Sequence, residues 1–142
     1  MSPAQRKAAG LAWFRATYPK LIGTGTVRVS CYYPPAKKAT PVKKGTWHRQ
    51  HATWAFEFPL KDLKSAASVT YCVCQSDDGA TFIHCLRVPH QYVLDHRPSL
   101  YERIDKSGEP SIGVFLAADI PVKFRDERQG PGGIEFGQFL LP

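Results

Sequence analysis

The side chains of this 142-residue chain that could do chemistry fall into three sets: cysteines with histidines, scattered carboxylates, and a dense run of cations. Cys72-x-Cys74, with Cys85 and His84 or His90 close by, offers zinc donors. Structural zinc, however, takes closely spaced donor pairs on tight turns. Here the cysteines fall mid-way along apolar runs, and His84 is expected on the opposite face from Cys72 and Cys85. Buried free thiols are the expectation. His48-x-x-His51 lacks the glutamate of a zincin helix and sits among turn residues. The spacing supports no Cys–His nucleophile pair. Cleavage of a phosphodiester with a metal needs two acids that hold the cation beside the scissile phosphate. Asp77 and Asp78 fall in a turn and Asp62 in a connector. Glu57, on a strand opposite an aromatic face, is the one acid with a site-like setting, and its ordinary reading is an exposed strand residue. Gly23-x-Gly25 is a bare turn, and no glycine-rich phosphate loop is present. No catalytic residue, metal or cofactor is therefore assigned, and the chain reads as a binder rather than an enzyme.

The cations give a stronger signal. The formal net charge is +7, yet residues 1–56 contain no Asp or Glu and carry Arg6, Lys7, Arg15, Lys20, Arg28, Lys37, Lys38, Lys43, Lys44 and Arg49. A solvated surface normally mixes both signs, so a stretch free of acids points to an anionic partner. The densest part is the loop 34–51, where Lys37, Lys38, Lys43, Lys44, His48 and Arg49 lie among three prolines with Trp47, and Tyr32 and Tyr33 just precede it. Lysine and arginine neutralise phosphates and release counterions, while aromatic rings stack on bases or wedge into grooves. Within this loop Ala36–Lys44 is similar in composition to the lysine/proline tails of linker histones. The expected nucleic-acid contacts are Arg28, Lys37, Lys38, Lys43, Lys44, Trp47, His48 and Arg49, with Tyr32 and Tyr33.

The elements that must position these residues follow from periodicity. Ser2-Pro3 is an N-cap followed by proline at the first helical position. Ala8, Leu11, Phe14 and Tyr18 then recur at helical spacing, which predicts a helix over 3–17. Val27–Tyr33 alternates as a strand, and Trp54, Phe56, Phe58 and Leu60 line one face of a second. Val69–Gln75 and Thr81–Val88 flank Asp78-Gly79, a two-residue hairpin signal that sets Val73 opposite His84 and Cys72 opposite Cys85. Gln91–Asp95 and Leu100–Ile104 read as short helical pieces, Ile112–Ala118 as a strand and Ile134–Leu141 as an edge strand. The expectation is a single α+β domain over residues 1–142: a central mixed or antiparallel sheet of five or six strands, an N-terminal helix and short helices.

From Val27 to Val93 the order of elements resembles the later part of the restriction-endonuclease-like, PD-(D/E)XK fold. The matching pieces are the strand Val27–Tyr33, a loop, the strand Trp54-Ala-Phe-Glu-Phe, and a hairpin ending in Arg87-Val-Pro-His-Gln-Tyr-Val93. In that family the first strand carries Glu-x-Lys, with an acid on the strand before. Here it reads Val27-Arg28-Val29-Ser30, with both acids missing and Ser30 where the lysine would stand. The resemblance implies a nuclease scaffold without metal ligands, kept for binding DNA.

Function is therefore expected to be non-catalytic nucleic-acid binding, with DNA slightly favoured over RNA. The alternatives are a divergent metal-dependent nuclease, or an assembly component such as an inhibitor or virion part whose basic face meets an acidic protein. No apolar run approaches the about 20 residues that cross a bilayer, so no membrane partner is expected. The four cysteines show no disulfide-scaffold spacing, which fits a reducing cytoplasm.

Overall fold

A computed structural model describes residues 1–34, 52–65, 68–118, 122–126 and 133–142. The N-terminal helix forms where its pattern predicts, as α1 (Pro3–Thr17). The Ser2 hydroxyl accepts from the Gln5 N–H at 3.1 Å, and the Gln5 side chain accepts from the Ser2 N–H at 2.8 Å. This reciprocal cap satisfies two of the first-turn donors. The helix ends at Tyr18 because Pro19 cannot continue it.

Six strands follow, interrupted by two short helices: β1 (Thr26–Ser30), β2 (Thr53–Pro59), α2 (Leu60–Leu63), β3 (Val69–Gln75), β4 (Phe82–Pro89), α3 (His90–Asp95), β5 (Tyr101–Ile104) and β6 (Pro110–Ala117). The fold is α+β, but its strands form two three-stranded sheets and not one central sheet of five or six. The first sheet has the order β1-β3-β4, with β1 parallel to β3 and β4 antiparallel to it. The second has the order β2-β6-β5 and is antiparallel throughout.

The two sheets share one core. Trp54, Phe56 and Phe58 of β2 and Ile112, Val114 and Leu116 of β6 meet Cys72 and Cys74 of β3 and Leu86 and Val88 of β4. Leu63 of α2, Val93 of α3, Phe124 and Phe136 close it. The other face of the first sheet (Val69, Tyr71, Val73, Phe82 and Cys85) packs under α1 through Phe14, with Trp13 and Tyr18 at its margin. Every residue of β3 is buried because the strand is covered on both faces; most are apolar, and the two polar ones, Thr70 and Gln75, are hydrogen-bonded. Gly10 sets how closely α1 approaches β1: a Cβ at that position would lie 2.5 Å from Val29 Cγ1. Glycine inside a helix costs about 1 kcal/mol relative to alanine, and the close approach of helix to strand outweighs it here.

Three further expectations are corrected. The β3–β4 register holds at Gln75↔Phe82 but slips beyond a bulge between Cys74 and Gln75, which pairs Cys74 with His84, Val73 with Cys85 and Cys72 with Leu86. Its origin is the bulge, where Ile83 is the extra residue on β4 and turns out to solvent. The turn itself is also wider than expected. Asp78-Gly79 does not close a two-residue loop by itself; Ser76 and Thr81 close a wider one, with Gly79 at φ +72° and the Asp78 carboxylate accepting from the Ala80 N–H. Leu100–Ile104 is not helical, since Tyr101–Ile104 pairs along β6 as β5. Ile134–Leu141 does not form a strand: Glu135 bridges Arg125, a 3-10 turn spans Gly137–Phe139, and Leu140 bridges Leu86. The Leu141 N–H then donates to the Cys85 carbonyl at 2.8 Å, alongside the outer edge of β4.

Candidate nucleic-acid interface

The chain just past the end of β1 meets the start of β2, and the two strands then part. At one end Tyr33 and Thr53 exchange two backbone hydrogen bonds, each 2.9 Å. One step on, the Ala55 N–H donates to the Ser30 hydroxyl at 2.9 Å, and that hydroxyl donates to the Cys31 carbonyl at 2.8 Å. Past this clamp the strands belong to different sheets and splay. The gap is a groove of about 430 Å³, floored by Thr26–Val29 and Ala55–Glu57 and walled by Pro3, Arg6 and Lys7 of α1.

Charge in the groove is uneven. Arg28 reaches out of the β1 floor to Asp62 of α2, with Nη2 2.8 Å from Oδ2. Glu57 on the β2 side is taken by Arg103 of β5. Arg6 and Lys7 have no carboxylate partner among the described residues. Both groove-side acids are thus already answered by arginines, while two cations are not. Beyond the Arg28–Asp62 pair lies a second depression of about 370 Å³, lined by Gly23–Thr26, Asp62, Ser68, Val69 and His90. His90 Nε2 is 2.7 Å from the Thr70 hydroxyl and Nδ1 is 3.2 Å from the Ser65 carbonyl. A carbonyl only accepts, so Nδ1 carries a proton, and in the neutral ring Nε2 accepts from Thr70. The arrangement matches a hydroxyl nucleophile with its base and orienting group, but Thr70 and His90 are each 2% exposed. Buried to that extent, the pair serves as a peg between β3 and α3, although His90 borders the depression.

The expected contact residues divide. Arg28 lies in the groove. Tyr32 is half-buried, its ring edge-on to Trp54 at 6.3 Å and its N–H donating to the Gln75 side chain, so it serves packing. Tyr33 is 37% exposed at the closed end of the seam. Lys37, Lys38, Lys43, Lys44, Trp47, His48 and Arg49 lie outside the described residues. Arg6 and Lys7 were not among the expected contacts. The signal for them was available: the first turn of α1 holds no acid, where helices ordinarily place one.

The chain matches no family model, no curated protein and no solved structure.

The sulfur and imidazole groups are packing elements. Cys72, Cys74 and Cys85 are buried free thiols. Burial pushes the Cys72 and Cys74 thiols well above the ordinary range, and it pushes Cys85 up to about 12. The slipped register overturns the expected arrangement of faces: His84 shares the side of Cys72 and Cys74, against Trp54 and Phe124, while Cys85 turns toward α1. Even so, no group of three or more His, Cys, Asp or Glu is placed to hold a metal among the described residues. Burial holds the His84 imidazole below its usual pKa. No described helix is long and apolar enough to cross a membrane.

Proposed function

We propose that the protein is a non-catalytic nucleic-acid-binding domain that contacts the phosphate backbone along the β1–β2 seam and through the basic segment beginning at Pro34. One observation carries the reading. The acid-free N-terminal stretch contributes Arg6, Lys7 and Arg28 to a single open groove, and the strand pair that ends this groove, Tyr33–Thr53, is also where the lysine-rich segment leaves and rejoins the fold. Cations gathered beside one opening give a continuous positive potential, which a polyanion fills by releasing counterions. Binding is preferred to cleavage because Glu57 and Asp62 each face an arginine rather than each other.

The test is fluorescence anisotropy with duplex DNA, single-stranded DNA and RNA over a salt series. Replacing Lys37, Lys38, Lys43 and Lys44 with glutamine lowers the log–log salt slope by about 0.9 for each duplex phosphate that is no longer neutralised. An unchanged slope removes the lysine-rich segment from the interface. Tight stoichiometric capture of an acidic protein, with only weak binding to every nucleic acid, transfers the function to protein assembly.

A further inference from the structure

The groove between β1 and β2 has properties that packing alone does not account for. Arg6 and Lys7 stand at the end of the first turn of a 15-residue helix, where the aligned peptide dipoles already make the potential positive. Helix stability is served by acids at that position and opposed by cations. Ion pairs elsewhere join Arg97 with Glu102, Arg103 with Glu57 and Arg125 with Glu135, while other cations such as Arg15, Lys20, Arg87 and Lys106 form none among the described residues. It is therefore the place of Arg6 and Lys7 beside the helix N-terminus, and not the lack of a partner, that sets them apart. A local rule broken without compensation within the fold marks a position kept for something other than stability. A third cation, Arg28, enters the same groove from β1, held in place by Asp62.

The backbone of β2 adds donors of the same sign. Along this strand Ala52 turns its carbonyl inward to the Ala118 N–H, whereas the N–H groups of Thr53 and Ala55 point toward β1, to the Tyr33 carbonyl and the Ser30 hydroxyl. By this alternation the Glu57 N–H is the next donor on that side. It lies where the strands have already separated and where the groove is open.

We infer that this groove is a phosphate-binding site for the nucleic-acid backbone, in which Arg6 and Lys7 make the direct contacts and Arg28 is held in place beneath them by Asp62. The assignment rests on the nucleic-acid reading above and deepens it by naming the groups that hold a phosphate at the seam, all of them on α1, β1 and β2 and separate from the lysine-rich segment. The helix dipole, the two side chains without a carboxylate among the described residues and the strand donor all favour an anion at one place, and each phosphate fixed there displaces a condensed counterion.

The test compares two double variants in which the same charge is removed. R6Q/K7Q empties the groove wall. K20Q/K106Q removes two exposed cations elsewhere: Lys20 lies beyond the far end of α1, and Lys106 in the turn between β5 and β6. A helix rises about 1.5 Å per residue, so Lys20 is roughly 20 Å along the axis from the groove. Anisotropy titrations use duplex DNA, single-stranded DNA, RNA and poly-L-glutamate at several salt concentrations. The expected result for R6Q/K7Q is a salt slope lower by about 0.9 per phosphate on duplex, or about 0.7 on single strands, with K20Q/K106Q close to the parent. Equal reductions in both variants overturn the groove site, leaving only a diffuse field, while the nucleic-acid reading stands. Parent protein that binds poly-L-glutamate as tightly as any nucleic acid, or that binds no nucleic acid in dilute buffer, overturns both. Circular dichroism before titration verifies that both variants are folded, as expected for substitutions at exposed or partly exposed side chains.

Discussion

The two sides of β1 are built on opposite terms. Toward β3 it is zipped in parallel register from Thr26↔Thr70 to Ser30↔Cys74, and α1 lies over it with Gly10 against Val29. Toward β2, among the described residues, it is held at the Tyr33–Thr53 pair just past its end and at the Ser30 clamp, and then it is open. The closed side is apolar and tightly fitted; the open side gathers cations. One strand can therefore be both a structural member and the floor of an open groove, provided its fixed side determines where the free side stands.

The contrast can be broken hardest from the closed side. Gly10→Val places a branched side chain where even a Cβ meets Val29 at 2.5 Å. Overpacking of this kind costs about 1–3 kcal/mol, and because α1 carries Arg6 and Lys7, groove binding should weaken together with stability. Urea unfolding and anisotropy on the same variant check this, and a stable variant with parental binding would show that the fit of helix to strand does not govern the groove.

Alkali loosens the same side from beneath. The raised thiols of Cys72, Cys74 and Cys85 stay protonated in the fold, whereas in the unfolded chain they ionise near their ordinary value of 9.0. Above that value the unfolded state holds fewer protons, so stability is intact below pH 9 and falls between pH 9 and about 12. The slope is about 1.4 kcal/mol per pH unit for each such thiol. Unfolding free energies measured from pH 8 to 10.5 should decline, and Cys85→Ala should decline less steeply from a lower starting point. Parallel curves would mean that Cys85 does not contribute. His84 acts in the opposite direction. With its folded pKa depressed by burial, its contribution is present above the ordinary 6.5 and is lost as the pH falls below it.

The smallest effect sharpens the open side. Glu57→Gln frees Arg103 beside the groove, whereas Glu102→Gln frees Arg97 away from it. Exposed pairs of this kind contribute about 0.2–1 kcal/mol to stability, so both variants fold alike. Only E57Q should tighten nucleic-acid binding, with a salt slope steeper by less than the value for one phosphate. Equal binding by the two would place Arg103 outside the reach of the bound strand.

Much of the fold was legible where the signal is local. Ser2-Pro3 and the repeat through Phe14 specify α1, and Trp54, Phe56 and Phe58 specify the inward face of β2. Pairing partners were not legible. Alternation says which face of a strand is buried and leaves open which strand lies beside it. β2 pairs with β6, more than fifty residues on, and so belongs to a different sheet from its sequence neighbour β1. The slip at Cys74 and Gln75 was hidden for a related reason: alternation along Thr81–Val88 does not mark Ile83 as the one residue that bulges out of the pairing. For the site, the cations and the absence of acids were plain in the sequence. Their sorting into paired and unpaired sets was not, because Arg28–Asp62 and Arg103–Glu57 are separated by 34 and 46 residues.

The short tail beside β4 has a consequence for crowding. β3 occupies one flank of β4, and Leu140 and Leu141 cover part of the other through the Leu86 bridge and the Cys85 carbonyl. A bare flank invites a neighbouring chain to add its own strand. With that flank partly shut, a neighbouring copy finds less of an open strand edge there on which to pair.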